Sequence, residues 1–133
     1  MTLSTNIDPA RLPKLKPEYK KRWLEALRSD KYEQGTDMLR TSSDEFCCLG
    51  VLCDIVKKDL DLEWFNEPFA GWHFADADTD IPLIVGELVF EDWETKLAEE
   101  ALAPLIFRND GSTEHNLNPH SFKQIADIVE EYM

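Results

Sequence analysis

Eight consecutive apolar residues, Phe46 to Cys53 (FCCLGVLC), constrain the fold of this chain most. A surface helix is apolar on one side only, so a run that is apolar all round predicts a buried element. Ser42 and Glu45, just before it, have the spacing of a capping box. We therefore predict a central buried helix from Ser43 to Lys58. Gly50 lowers its helix propensity, and a close helix crossing would explain a glycine there.

Amphipathic spacing predicts further helices on both sides of this centre. One begins at Pro17, a favourable first helical residue, and ends near Ser29 and Asp30, with apolar positions at Tyr19, Trp23, Ala26 and Leu27. A second capping box opens the last helix, whose inward positions are Phe122, Ile125, Ala126, Val129 and Tyr132. Asp92 caps a further helix, which Pro104 ends or kinks.

The expected fold class is mainly α, a single compact domain of four to five helices around the buried central helix. A small β-hairpin could form within residues 59–81, where aromatic residues alternate with Pro68 and Gly71. The chain has 133 residues, which is ordinary for one domain. We assign residues 1–15 to an irregular N-terminal arm and residues 16–133 to the globular domain.

Charge is distributed unevenly along the chain. Residues 1–66 carry 11 bases and 12 acids, whereas residues 67–133 carry 3 bases and 15 acids, which gives the second half a net charge of −12. An acidic half repels nucleic acid and membrane surfaces, so neither is an expected partner. It suits a basic protein, and the candidate partner-binding residues are Glu87, Glu91, Asp92, Glu94, Glu99 and Glu100.

The cysteines predict neither a disulfide framework nor a zinc site. Cys47, Cys48 and Cys53 are odd in number and lie within seven residues, and on a helix they point in three directions. The N-terminus has no apolar run typical of a signal peptide. We therefore expect a cytoplasmic protein without a cofactor or catalytic metal.

A weak calcium-site candidate lies in DADTDIPLIVGE, residues 76–87. Asp76, Asp78, Asp80 and Glu87 occupy positions 1, 3, 5 and 12 of a calcium loop. Position 6, which should be glycine, is Ile81. An acidic surface loop is the simpler interpretation.

Basic residues of the N-terminal third and nearby aromatic residues raise a second hypothesis. They could hold a small anionic molecule such as a nucleotide, or they could pair with the acidic second half, within the chain or across a homo-oligomer. The candidate ligand-binding residues are Arg28, Tyr32, Gln34, Arg40, Trp72, Asn109 and Asp110. If the chain is an enzyme, Asp110 could act as a base and Arg40 as an anion clamp.

Several motifs resemble those of a known family. They are Trp23, the segment Ala26–Ser29, the Tyr32-x-Gln34-Gly35 motif, the segment Cys47–Cys53, the pair Asn109–Asp110, and the closing helix with Ser121, Phe122, Ile125, Ala126 and Asp127. In this order they resemble a family of small, uncharacterised proteins of bacteriophages and prophages. The chain departs from that pattern after Gly111, where residues 112–120 form a longer loop.

This resemblance implies a viral origin and a role inside an infected cell, and it implies no reaction. We therefore expect a phage accessory protein that acts by binding rather than catalysis. Its acidic surface would neutralise a host or defence factor, such as a basic nucleic-acid-binding protein. The alternatives are a binder of a small anionic nucleotide and a small enzyme of unknown reaction.

Overall fold

The computed structural model describes residues 8–91, 93 and 98–133. A 3-10 turn at Pro9–Arg11 precedes the main elements. The helices are α1 (Pro17–Arg28), α2 (Cys48–Val56), α3 (Leu83–Val89), α4 (Ala98–Ala101), α5 (Ala103–Asp110) and α6 (Phe122–Tyr132), and the strands are β1 (Glu33–Gln34), β2 (Glu45–Phe46), β3 (Trp64–Glu67) and β4 (Gly71–Phe74).

Helices α1 and α6 form where their amphipathic spacing predicts them. Proline occupies the first turn of α1, and Tyr19, Trp23 and Leu27 form its buried face. The capping box of α6 is confirmed, because Ser121 Oγ accepts from the Gln124 backbone N–H and the Gln124 side chain accepts from the Ser121 N–H. Arg28 on α1 joins the two helices through ion pairs with Asp127 and Glu130.

Helix α2 is buried almost all round, as its apolar run predicts. Its buried residues are Cys48, Leu49, Gly50, Val51, Leu52, Cys53 and Val56. Trp23 on α1 donates from Nε1 to the Cys48 carbonyl oxygen, 3.0 Å away, and so ties α1 to the start of α2. Truncating a fully buried leucine such as Leu52 in this core is expected to cost about 2–5 kcal/mol.

Helix α2 nevertheless begins later than predicted. Glu45 and Phe46 are strand residues, and the N-cap is Cys47, whose Sγ accepts from the Gly50 N–H at 3.4 Å. The predicted Ser42–Glu45 capping box is therefore wrong. Gly50 does mark a close approach, but to the backbone of Leu39 and not to a helix, since a Cβ on Gly50 would lie 1.8 Å from the Leu39 carbonyl oxygen.

Two small sheets complete the structure of the described residues. Strands β1 and β2 pair in parallel, with Glu33 opposite Glu45 and Gln34 opposite Phe46. Strands β3 and β4 form an antiparallel hairpin, with Trp64 opposite Phe74 and Glu67 opposite Gly71. The predicted hairpin in residues 59–81 is present, whereas the β1–β2 pair was not predicted.

The prediction of a mainly α fold is wrong, because the chain has a mixed α and β structure. The physical reason is that residues 33–46, although close to the central helix, satisfy their backbone groups by strand pairing and turns. Helix α2 is shortened as a result. The extended hairpin and its flanking turns then occupy the segment between α2 and α3.

Residues near the two ends of the described chain contribute to one core. Leu12 and Leu15, within the segment assigned to an N-terminal arm, are both buried. The Leu15 N–H donates to the Met133 carbonyl oxygen, 2.9 Å away, and the Lys16 N–H donates to the Val89 carbonyl oxygen. These bonds connect the approach to α1 with the ends of α3 and α6.

The predicted helix that begins at Asp92 is broken. Asp92 itself lies outside the described residues, and α4 and α5 are separated by a turn at Leu102, with Pro104 in the first turn of α5. Asn109 and Asp110 are the last residues of α5. Gly111 follows with φ +81°, a left-handed conformation that favours glycine.

Candidate functional site

A cleft of about 240 Å³ lies between the start of α2, the length of α5 and two connecting segments, residues 37–38 and 79–80. Its apolar wall is formed by Met38, Leu49, Ala103, Ile106 and Phe107. Its polar side carries Asp37, Thr79, Asp80 and Asp110. We call this feature the acidic cleft, because three of its lining side chains are carboxylates and none of the described lining residues is basic.

Asn109 is the structural centre of the cleft. It is buried, and its side chain makes four hydrogen bonds. Its Oδ1 accepts from Gln34 Nε2 at 3.0 Å and from the Cys48 N–H at 3.2 Å, while its Nδ2 donates to the Gly35 carbonyl oxygen and to Asp110 Oδ1, each at 2.9 Å. Both donor hydrogens and both acceptor positions of this amide are therefore occupied. Asn109 therefore positions the walls of the cleft.

Gln34 extends this network away from the cleft. Its Nε2 also donates to the His120 carbonyl oxygen at 2.8 Å, and its Oε1 accepts from the Phe122 N–H at 3.1 Å. The side chain thus links β1 to the first turn of α6 and to the end of the loop at residues 112–120. Gln34 and Asn109, both candidate ligand-binding residues, are brought together in a structural role.

Asp110 lines the cleft directly. Its Oδ1 accepts from Asn109 Nδ2 and from the Asp37 N–H, which lies 3.2 Å away. Asp37 has φ +72°, a left-handed conformation that aspartate adopts more readily than most residues. The end of α5 therefore holds the residue 37 turn in place and brings two carboxylates to one rim.

The thiols at the base of the cleft are poor nucleophiles. Cys47 and Cys48 line the cleft, and both are buried. Burial raises the pKa of Cys47 to about 12 and raises the pKa of Cys48 and Cys53 well above the ordinary thiol value. At neutral pH all three are neutral thiols, which lack the reactivity of a thiolate.

Tyr32 belongs to a second polar cluster centred on Asp54. The Asp54 carboxylate accepts from Tyr32 Oη at 2.5 Å, from Trp64 Nε1 at 2.9 Å and from Lys57 Nζ at 3.1 Å. Burial raises the pKa of Asp54, but these hydrogen bonds outweigh it, so the pKa lies below the ordinary value. Burial and the neighbouring carboxylate raise the pKa of Tyr32, which stays protonated.

Arg40 and Trp72, two more ligand-binding candidates, contact each other and do not line the cleft. The Arg40 guanidinium lies 3.7 Å from the centre of the Trp72 ring and also faces the rings of Phe46 and Trp64. The same guanidinium pairs with Asp44 at 2.9 Å. This arrangement is a cation–π cluster internal to the chain. The remaining candidate, Arg28, pairs with α6, as described above.

Several other basic residues are also used within the fold. Arg22 pairs with Asp59, and Lys123 pairs with Asp30. Lys14 and Lys20 donate to carbonyl oxygens of Tyr132 and Glu130. The predicted pairing with acids of the second half therefore holds for Arg28, whereas Arg22 pairs within the first half and Lys14 and Lys20 bind backbone carbonyl oxygens.

The acidic candidates fall on and beyond α3. Glu87 and Glu91 are exposed, and so is Glu100 on α4, which also includes Glu99. Asp92 and Glu94 lie outside the described residues. Asp76, Asp78, Asp80 and Glu87 form no metal site, since no group of three His, Cys, Asp or Glu residues within the described ranges could hold a metal ion.

Comparison with known protein families assigns residues 15–133 to a profile described as Domain of unknown function (DUF8296). The chain belongs to this family. No curated protein and no solved structure matches it. The DUF8296 match spans the whole acidic cleft, the hydrogen-bond network of Asn109 and the polar cluster centred on Asp54. Among the described helices of this DUF8296 domain, none has the length and apolar character needed to span a bilayer.

Sequence reasoning found part of this site. Asn109 and Asp110 are candidates from the sequence and match the family motif, and Asp80 belongs to the weak calcium-site candidate. Asp37, Thr79 and Asp54 were not singled out as site residues. The usable signal for Asp54 is a lone carboxylate directly after the apolar run that forms α2. Asp37 carries no comparable signal, because its role depends on the approach of α5.

Proposed function

We propose that this chain is a binding protein, not an enzyme, and that its acidic cleft receives a positively charged side chain of a basic partner. The observation that carries the proposal is the composition of the cleft, in which Asp37, Asp80 and Asp110 face an apolar wall. Carboxylates beside an apolar surface suit a lysine or arginine side chain, which has an apolar stem and a cationic end.

The size of the cleft favours a side chain over a nucleotide. Its volume of about 240 Å³ lies below the range of roughly 300–1,000 Å³ usual for small-molecule sites. Its carboxylates would also repel phosphate groups. Arg28 and Arg40, which an anionic ligand would need, are held in ion pairs with acids of the same chain. The acidic cleft is therefore a poor site for a nucleotide.

The charge of the chain supports a basic partner. Residues 59–95 contain eleven Asp and Glu residues and no Lys or Arg. Such a segment would attract a basic protein during association, and salt would weaken this attraction. Glu87 and Glu91, candidate partner-binding residues exposed on the surface, belong to this segment.

The enzyme alternative has weaker support. Arg40 stacks on Trp72 and is not among the residues that line the cleft, so it cannot serve there as an anion clamp for a reaction at Asp110. The thiols in the cleft are protonated. Binding therefore accounts for the arrangement better than acid–base or nucleophilic catalysis.

The biological setting of the proposal follows from the resemblance to phage and prophage proteins. In that setting the chain would act in the cytoplasm of an infected cell, where it would occupy and neutralise a basic host or defence protein. The partner's own nucleic-acid ligand would compete with the acidic surface.

Titration of the protein with short peptides tests this function. The probes are acetyl-Ala-Arg-Ala-amide, its citrulline counterpart, which has the same shape without the charge, and ATP. Backbone NMR shifts should change around Asp37, Asp110 and Leu49 with the arginine peptide and not with the other two. A response to ATP at the cleft, or equal responses to arginine and citrulline, would contradict the proposal.

A matched pair of variants separates the cleft from the general charge. Asp37→Asn and Asp61→Asn remove one charge each, and both residues have left-handed backbones, which asparagine tolerates. Only Asp37 lines the cleft. Asp37→Asn should weaken arginine-peptide binding at least threefold, whereas Asp61→Asn should leave it nearly unchanged.

A further inference from the structure

The β3–β4 hairpin packs one face on the core, and its opposite face carries the exposed Phe65 beside His73, whose side chain is mostly covered. Residues paired across an antiparallel ladder point to the same side, and alternate residues point to opposite sides. Trp64 and its partner Phe74 therefore share the inner face, and Phe65 and its partner His73 share the outer face. The turn that joins the strands contains Pro68, Phe69 and Ala70.

The inner face is fixed to the protein body by several independent contacts. Phe74 is fully buried, and its ring lies 5.1 Å from the ring of Trp64. Trp64 donates to Asp54, and Trp72 is covered by the Arg40 guanidinium. The hairpin is thus held on its inner side by packing, a hydrogen bond and a cation–π contact, and its outer side is presented in a fixed orientation.

The outer side and the turn expose large aromatic surface. Phe65 is 57% exposed, and Phe69 is fully exposed at the tip of the hairpin. Phe69 also has φ +68°, a left-handed conformation that is uncommon for a bulky residue. A single exposed apolar residue needs no explanation, but two phenylalanines on one anchored hairpin, one of them in an unfavourable backbone conformation, do.

We infer that Phe69, supported by Phe65, is the aromatic anchor of a protein–protein interface and inserts into an apolar pocket rimmed by basic residues on the partner. Buried aromatic anchors dominate the binding energy of many interfaces, and a rigid presentation lowers the entropy lost on binding. Glu67, which lies between the two phenylalanines, is exposed and supplies a carboxylate for the basic rim.

Charge selects a basic protein over a second copy of this chain as the occupant. The hairpin lies within residues 59–95, which contain no Lys or Arg. Two copies meeting through this surface would bring like charges together. A basic partner would instead neutralise them.

The hairpin also adjoins the acidic cleft. Met38, which lines the cleft, has its Cε 3.5 Å from the position that a Cβ atom of Gly71 would occupy. One partner could therefore contact the anchor and the cleft together. The inference rests on the proposed function only for the sign of the partner's charge.

Affinity capture with the full chain tests the anchor. The baits are the wild type, Phe69→Ala, Phe69→Gly, Asp37→Asn and Leu83→Ala, the last being an exposed apolar residue on α3. The expected result is a captured protein of basic pI whose recovery falls at least tenfold with both Phe69 variants and stays within twofold of wild type with Leu83→Ala. Once the captured partner is purified, its Kd should rise at least tenfold with both Phe69 variants and change less than twofold with Leu83→Ala.

Phe69→Gly separates binding from folding, because glycine adopts φ +68° freely. Its melting temperature should equal or exceed that of the wild type while capture is lost. Loss of capture with Asp37→Asn alone would overturn the anchor and leave the cleft proposal standing. Loss with Phe69→Ala alone would support the anchor and overturn the cleft proposal. Absence of any Phe69-dependent basic partner, or a Phe69-dependent dimer in sedimentation velocity, would overturn the inference.

Discussion

The side-chain oxygen of Asn109 accepts a hydrogen bond from the Cys48 backbone N–H at 3.2 Å, which joins the end of α5 to the start of α2. The Cys48 N–H is one of the donors at a helix N-terminus that has no partner within its own helix. A side chain from a helix 61 residues away in sequence therefore satisfies it. The acidic cleft lies at this junction, so its shape depends on a single buried amide.

Asn109→Ala should destabilise the protein by about 2–4 kcal/mol, because it leaves the Cys48 N–H, the Gly35 carbonyl oxygen and the Gln34 amide without their buried partner. Urea denaturation, monitored by tryptophan fluorescence, measures this loss of stability. Asn118→Ala, an exposed position in the 112–120 loop, is the control and should change the free energy of unfolding by less than about 0.5 kcal/mol. Equal effects of the two variants would show that the amide network contributes nothing.

Gly50→Ala should destabilise the protein although alanine is the better helix former. The intrinsic gain in an exposed helix is about 1 kcal/mol. Here the added Cβ would lie 1.8 Å from the Leu39 carbonyl oxygen, so α2 and the residue 39 backbone must separate. We expect a net loss of about 1–3 kcal/mol or more, typical of overpacking. Glu25→Ala, on the exposed face of α1, should be close to neutral, and a stabilising Gly50→Ala would contradict the observed packing.

Gly50 and Asn109 also show how much of the fold the sequence could predict. Helices α1 and α6 can be predicted from short stretches of sequence. The signals are local: the spacing of Tyr19, Trp23 and Leu27 in α1, and the Ser121–Gln124 capping box in α6. The partners of Gly50 and Asn109 are set by tertiary contacts, which leave no periodic pattern. Glycine at position 50 indicated a close approach, but it could not indicate that the neighbour is an irregular segment.

The β1–β2 pair was missed for a related reason. Each strand has two residues, too few for an alternating pattern, and the pair forms because Gln34 and Phe46 are held from outside by α5, α6 and neighbouring aromatic rings. The acidic cleft shares this origin. Asp37, Asp80 and Asp110 come from three separate segments, and their polarity alone could not show that they meet.

The three cysteines should resist alkylation in the folded protein. Burial keeps them inaccessible and raises their pKa values, so both the thiolate population and the access of reagent are low. Incubation with iodoacetamide at about pH 8 followed by mass spectrometry should show no adduct over a time in which glutathione reacts fully. The same protein in 6 M guanidinium is the control and should take up three adducts, one for each cysteine. Rapid labelling of Cys47 without denaturant would show that the cleft opens to its base.

Asp54 should make the free energy of unfolding depend on pH in the acid range. Its pKa in the folded state lies below the ordinary value of 3.8 because hydrogen bonds from Tyr32, Trp64 and Lys57 outweigh the effect of burial. A group with a depressed folded pKa contributes stability above its unfolded pKa and loses that contribution as pH falls through the folded value. The contribution is therefore complete at neutral pH, begins to fall near the ordinary value of 3.8, and is lost as the pH drops through the lower folded-state pKa.

The variant Asp54→Asn isolates this contribution from that of the many other acids. At pH 7 it should be less stable than wild type by about 1 kcal/mol, allowing for solvent screening at a part-buried site. On acidification to about pH 2.5 the difference should narrow, because protonated Asp54 loses the advantage of its charge. Chemical denaturation across this pH range measures both curves. The exposed control Asp61→Asn should run parallel to wild type within error, and a constant gap between wild type and Asp54→Asn would mean that the Tyr32 and Trp64 bonds do not favour the ionised carboxylate.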